Sequence, residues 1–219
     1  GSERKPSFAP GLVRSWGAEG KLPEPGTRWL SRMGPQVRIQ VCTTDMMSRL
    51  RVHPLAHASA LPPETDPTRT LKIEDTAGSV SLSLERPALR VFKTQALRVE
   101  SWAALRAERS TEILAQVGPP FPFWSSVLHL NPEIVPYTIE LLMVTLELAT
   151  VVVQQAKYEA AVPRPSDYSA RIQPMIENPG FLAWPSGHAT QAFAVAEMLS
   201  LLTMPSDGLS SQVTPAWEE

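Results

Sequence analysis

Residues 134–153 read IVPYTIELLMVTLELATVVV, and how this stretch is taken decides the fold. It is about as long as a bilayer span. It also carries Glu140 and Glu147, and an ionised side chain near a membrane centre costs roughly 2.5–3.5 kcal/mol. Glu140, Glu147 and Gln154 recur every seven residues. On a helix they fall on nearly one face, drifting by about 20° per step. A helix buried among other helices, with one polar stripe, accounts for that pattern better than a span does. The chain therefore reads as a soluble, mainly α protein. Upstream, Asn131-Pro132-Glu133 offers an N-cap and a first-turn proline, with Pro136 as a second possible start. Downstream, Val162-Pro163 ends the helix near Ala161.

Working outward, Leu89, Phe92, Ala96, Val99 and Ala103 step by three or four, and Ile113-Leu114 continue them. This predicts a helix over 87–117, stopped by Gly118-Pro119-Pro120. A last helix is predicted from Ser186-Gly187-His188 through Phe193 and Leu199 to near Met204. Phe121-Pro122-Phe123-Trp124 reads as an aromatic connector, and residues 163–185 as a loop. Val37–Val41 and Val80–Leu84 alternate as half-buried strands do. Leu61–Pro67 is a loop rich in proline. Of the 22 prolines in 219 residues, only Pro87 lies between residues 71 and 118. The middle of the chain should therefore be regular. These signals divide the chain into an extended arm with short strands and loops over 1–85 and a helical domain over 86–219.

The formal net charge is −2. No basic field exists to hold a nucleic acid or an anionic membrane surface. A single cysteine, Cys42, excludes an intrachain disulfide framework and multi-cysteine metal sites. No nucleotide-binding glycine loop, zinc signature or nucleophile elbow is present.

Two features carry chemistry. Lys157 and Arg164 are seven residues apart and straddle the predicted helix end, so both cations can reach one point. Arginine there offers a planar fork for an oxyanion. The plain alternative is a pair of ordinary cations at a helix C-terminus. The second feature, Pro185-Ser186-Gly187-His188, opens a helix. Ser186 can cap it, Gly187 lets an anion approach the backbone, and the first-turn N–H groups point outward. His188 is placed as an acid–base group near neutral pH. Here the plain alternative is an N-cap with an incidental histidine.

In this order and spacing the two features resemble the superfamily of vanadium-dependent haloperoxidases and type 2 phosphatidic acid phosphatases. Its pattern is Lys-x6-Arg-Pro, Pro-Ser-Gly-His and Ser-Arg-x5-His. The resemblance covers roughly residues 86–204. It includes the stretch from Ile113-Leu114-Ala115-Gln116 to Trp124, and the Gln173-Pro174-Met175-Ile176 loop, both similar to bacterial haloperoxidase-type members. It implies a helical-bundle fold and a pocket for vanadate, or for phosphate in its place. The implied anion ligands are Lys157, Arg164, Ser186 and the amide of Gly187. His188 is the implied acid–base residue beside the apical oxygen. The third motif would add an arginine and the histidine that bonds vanadium, yet no Arg or His follows His188 in this sequence. The resemblance thus implies a helical domain incomplete at its C-terminus, whose site another segment or chain completes.

The activity so implied is oxidation of a halide by hydrogen peroxide at vanadate, with a small organic substrate. An acid phosphatase using the same pocket is the alternative, and a non-catalytic helical remnant or subunit is a third. A homo-oligomer or a complementing chain is the partner considered, and the sequence assigns no compartment. Among other candidates, His53 and His57 have ligand spacing but flank Pro54 and lack a third ligand. His129 reads as structural, Cys42 as a small buried hydrophobe, and Trp184 as a wall of the pocket.

Overall fold

The computed structural model describes residue 30, residues 32–54 and residues 68–203. Most of the expected arm, the Leu61–Pro67 loop, His57 and the expected helix end at Met204 lie outside the described residues. The chain forms two compact units, residues 1–38 and 39–219. Helix dominates, and the strands are short.

Helix α1 spans Pro35–Ser48. It overturns the strand expected at Val37–Val41. Residues 37, 39 and 41 alternate, but Val37 and Val41 also share a helical face. Proline at the first position is pre-set for a helix. The buried pair Ile39 and Thr43, four apart, marks the inward side. Cys42 is half-buried in this helix rather than on a strand. Three antiparallel strands follow: β1 (Leu50–Val52), β2 (Arg69–Asp75) and β3 (Ser81–Arg86), in the order β1-β2-β3. His53, just after β1, pairs through Nε2 with Glu74 Oε2 at 2.8 Å and ligates nothing among the described residues. Leu71 of β2 is fully buried against Ala156, with Val52 and Leu84 alongside. The sheet thus closes one side of the core.

The helix expected over 87–117 arrives in pieces. Helix α2 spans Leu89–Trp102, a 3-10 turn covers Ala103–Leu105, and α3 spans Ser110–Ala115. Between Ala103 and Ile113 the sequence has no apolar stripe, so no packing holds the helix straight there. Phe121–Trp124 is a helix start rather than a connector. Helix α4 spans Phe121–Val127 with proline in its first turn, and Phe121 meets Trp124 edge-on. The loop after residue 163 likewise contains a short helix, α6 (Pro165–Tyr168).

Helix α5 (Pro136–Ala160) is the axis of the fold. Asn131 prepares its start by accepting the Glu133 amide on Oδ1 at 2.8 Å. Leu142 packs with Val195 and Leu199 of α7 (Gly187–Thr203), and Trp124, Leu128 and Leu146 surround them. The threonines of α5 keep their hydroxyls satisfied inside this apolar helix. Thr145 donates to Leu141 O at 2.9 Å and Thr150 to Leu146 O at 2.7 Å. On the polar stripe, Glu147 accepts from Thr43 Oγ1 at 3.2 Å. Only a minority of the helix is buried, so the buried helix with one polar stripe of the sequence reading is corrected to one covered on part of its circumference. The stretch from Pro136 is long and apolar enough to cross a membrane, by length and composition.

Helix α5 ends on Ala161, at φ 51° and ψ 40°, with its amide on Lys157 O at 3.0 Å. This left-handed cap costs a residue with a Cβ about 1–2 kcal/mol. Glycine would remove that strain at some entropic cost in the unfolded chain. Ala161→Gly is therefore expected to stabilise the protein by about 0.5–1 kcal/mol. A higher denaturant midpoint at unchanged slope would register it, and a lower midpoint would contradict the cap.

Candidate active site

The end of α5 and the start of α7 are tied together by one side chain. Lys157 lies in the last turn of α5 and is 2% exposed. Its ammonium donates to Leu182 O at 2.9 Å, to Ala183 O at 3.0 Å and to Pro185 O. The Ala183 amide also donates to Val162 O at 2.9 Å. The loop that feeds α7 is thus folded onto the end of α5, through a cis Trp184–Pro185 peptide. A Cβ built on Gly187 would lie 4.0 Å from Lys157 Cε. Lys157 and Gly187, thirty residues apart in sequence, are neighbours.

Arg164 sits on the exit from α5, before α6. Its backbone amide donates to Asp167 Oδ2 at 2.8 Å, which holds α6 in place. The guanidinium donates through Nε to Phe181 O at 2.7 Å. Its Nη2 is buried and has no hydrogen-bond partner. Both cations lie over the Phe181 ring, Arg164 Cζ at 4.7 Å and Lys157 Nζ at 5.3 Å from its centroid. Burial, with Arg164 adding repulsion, lowers the Lys157 pKa to about 8. Burial also lowers that of Arg164, against the opposing pull of Asp167.

Ser186 caps α7. Its Oγ accepts the Ala189 amide at 3.2 Å and its carbonyl accepts the Thr190 amide at 3.1 Å. The hydroxyl proton remains for an outside acceptor. The amides of Gly187 and His188 have no acceptor inside the helix, as at any helix start. His188 is exposed in this first turn. It opens on a cavity of about 870 Å³ lined by Ile113, Phe123, Trp124, Ile176 and Phe181, with Gln191 beside it. Gln191 donates to Thr150 Oγ1 at 2.8 Å and fixes α7 on α5.

Lys157, Arg164 and Gly187 therefore gather at the junction of α5 and α7, with Ser186 at its rim. His188 lines the apolar cavity together with Phe181, and neither cation lines it. Trp184 does not line it either. It packs edge-on against Phe92, with ring centroids 6.5 Å apart. Phe181 is the residue that sequence reasoning missed. It joins the cations to the cavity, and no local pattern marks it.

The donors present are those of an anion site. They are a guanidinium with an unused buried N–H, a nearby ammonium, a hydroxyl and a helix N-terminus. Among the described residues no group of three His, Cys, Asp or Glu side chains gathers as cation ligands do. The unpartnered Arg164 Nη2 is the feature a bound tetrahedral oxyanion would satisfy, so vanadate or phosphate fits the residues present. The Lys157 protons are already committed to three carbonyls, so its contribution is charge unless a carbonyl is released. Searches of protein-family models, of curated proteins and of solved structures returned no match to this chain.

Proposed function

We propose that the chain is the anion-binding part of a vanadium-dependent haloperoxidase-like oxidoreductase with a helical bundle of that type. The observation that carries this reading is the buried, unpartnered Arg164 Nη2 beside Lys157 and the N-terminus of α7. A buried donor without an acceptor costs about 1–3 kcal/mol, and an oxyanion relieves that cost. A vanadate held there would supply the Lewis acidity that activates hydrogen peroxide, and the peroxide, reduced to water, would be the two-electron oxidant of the halide. Arg164 orients the anion, Lys157 adds charge, and Ser186 and the first amides of α7 donate to it. His188 moves the proton at the oxygen facing the apolar cavity. That cavity admits the small organic molecule that receives the halogen.

Two positive side chains and one helix end under-neutralise a dianion. Each missing charge-assisted partner costs about 1.5–3 kcal/mol, or about 10- to 150-fold in affinity. The 219-residue chain alone is expected to bind vanadate weakly and to oxidise bromide negligibly. Supplying a segment with Ser-Arg-x5-His, fused or as a partner chain, should restore both. Helix α7 leaves Phe193 and Leu201 exposed on neighbouring positions of its surface, where such a segment can pack. Release of phosphate from a monoester by the completed protein, with no bromide oxidation, would favour the phosphatase. Weak vanadate binding that the segment does not improve would leave a non-catalytic subunit.

The site should also respond to pH. Sulfate stays a dianion from pH 6 to 9, so it reports the protein's charge alone. With the Lys157 pKa at about 8, sulfate affinity is expected to fall as pH rises through that value, by about tenfold in all. An affinity flat from pH 6 to 9 would remove Lys157 from the site.

A further inference from the structure

The sheet has two edges, β1 and β3, and the fold treats them differently. The Asp75 amide donates to Val80 O at 3.0 Å where β2 turns into β3. Bonded pairs alternate along an antiparallel ladder, so Ile73 with Leu82, Leu71 with Leu84 and Arg69 with Arg86 are bonded pairs too. The amides and carbonyls of Ser81, Ser83 and Glu85 therefore point away from β2. These backbone groups have no partner among the described residues. On β1, the His53 amide donates to Lys72 O, which by the same alternation turns the polar groups of Leu50 and Val52 outward. That edge is three residues long, is followed by Pro54 with no N–H to give, and shares a cavity with Val151, Gln155 and Tyr158 of α5. Short length and proline are how proteins blunt an edge. Strand β3 has neither device. It runs six residues without proline, and Val80 and Leu82 beside it are 58% and 53% exposed.

We infer that the free edge of β3 pairs with the β3 edge of a second copy, antiparallel about a twofold axis at Ser83, which joins the two sheets into one. The register is self-complementary, as a twofold contact requires. Ser83 faces its counterpart, and on either side Ser81 of one copy faces Glu85 of the other. Each of these three pairs exchanges two N–H···O bonds, so every outward group of Ser81, Ser83 and Glu85 is used. Moving the axis to Leu82 or Leu84 leaves only two such pairs within the strand. With the axis at Ser83, Glu85 stands opposite a serine rather than its own like charge. Leu82 and Leu84 lie on the face that carries buried Leu71. Across the axis Leu82 of one copy meets Leu84 of the other and covers surface that the monomer exposes. The contact is small beside the roughly 800 Å² per partner of a standard interface, so the dimer is a weak one. This pairing does not rest on the anion-site reading.

The test is sedimentation equilibrium of the full chain. A monomer–dimer equilibrium with a dissociation constant of about 0.01–1 mM is expected. Ser83→Pro should weaken it about 10- to 100-fold, because proline removes an N–H that the pairing uses and β2 does not. Its denaturant midpoint should match the parent's, since an edge strand accepts proline where the N–H faces outward. Cross-linking gives a second readout. In a bonded antiparallel pair the Cα atoms are about 5.5 Å apart, within reach of a disulfide. Under mild oxidation, Ser83→Cys should therefore form a linked dimer at least about 10-fold faster than Lys72→Cys, one strand further in. Cys42 is common to both variants and cancels in the comparison. A chain that stays monomeric at about 1 mM overturns the inference, as does a dimer that Ser83→Pro leaves intact. Equal cross-linking rates overturn it as well, and those rates decide if Ser83→Pro lowers the midpoint.

Discussion

Lys157→Met is expected to lower the unfolding free energy by about 2–3 kcal/mol and to weaken anion binding by about 10- to 150-fold. Methionine fills much the same volume, so packing changes little. The loss comes from the carbonyls of Leu182, Ala183 and Pro185, which lose the donor that gathers them. Each buried carbonyl left without a partner costs about 1–3 kcal/mol. Water reaching the opened loop, and relief of a charge buried beside Arg164, offset part of that sum. Tyr158→Ala is the control. Tyr158 is the next residue but 77% exposed, so its change should stay within about 0.5 kcal/mol.

The same lysine has a pH signature. Its folded pKa of about 8 lies below the ordinary 10.5. Between those values the unfolded chain holds more protons than the folded one. This single group therefore makes stability rise with pH across that window, and adds nothing to the slope at pH 7. The parent should show that rise relative to Lys157→Met in denaturant titrations from pH 7 to 10.5. Parallel profiles, or a variant as stable as the parent, would mean the ammonium does not organise the loop.

His188→Ala should have a large effect of another kind. In the protein completed with a Ser-Arg-x5-His segment, turnover in bromide oxidation is expected to fall by about 10²- to 10⁴-fold, the usual weight of a positioned acid–base group. Vanadate affinity should change by far less, because the proposed ligating donors are Arg164, Ser186 and the α7 amides. Stability should be nearly untouched, since His188 is exposed. Vanadate titration beside steady-state rates separates the two effects. An equal loss in affinity and turnover would make His188 a ligand rather than the proton carrier.

Much of this was legible in residues 131–204. Pro136 and Val162-Pro163 bound α5 within a residue of the observed helix, because proline restricts its own backbone and its neighbour's whatever the surroundings. Ser186 caps α7 for an equally local reason. The turn at 103–109 and the identity of α1 were not legible. Both depend on whether a neighbour covers an apolar face, and a short run of alternating residues fits a strand or a helix equally well. The pairing of Lys157 with Gly187 was expected from motif order alone.

The sequence by itself determined where backbone preferences act within a few residues, which are the helix ends, the caps and the breaks. It also placed the cations at a helix end and the histidine in a first turn. Only the tertiary structure decided that the ammonium is held by three carbonyls, that Phe181 meets both cations and also lines the cavity of His188, and that Arg106 shares a cavity with Arg164. Those facts join residues from seven to more than fifty positions apart. They follow from how α2, α5 and α7 and their connections pack, and packing is set by the summed burial of many side chains, which no local pattern contains.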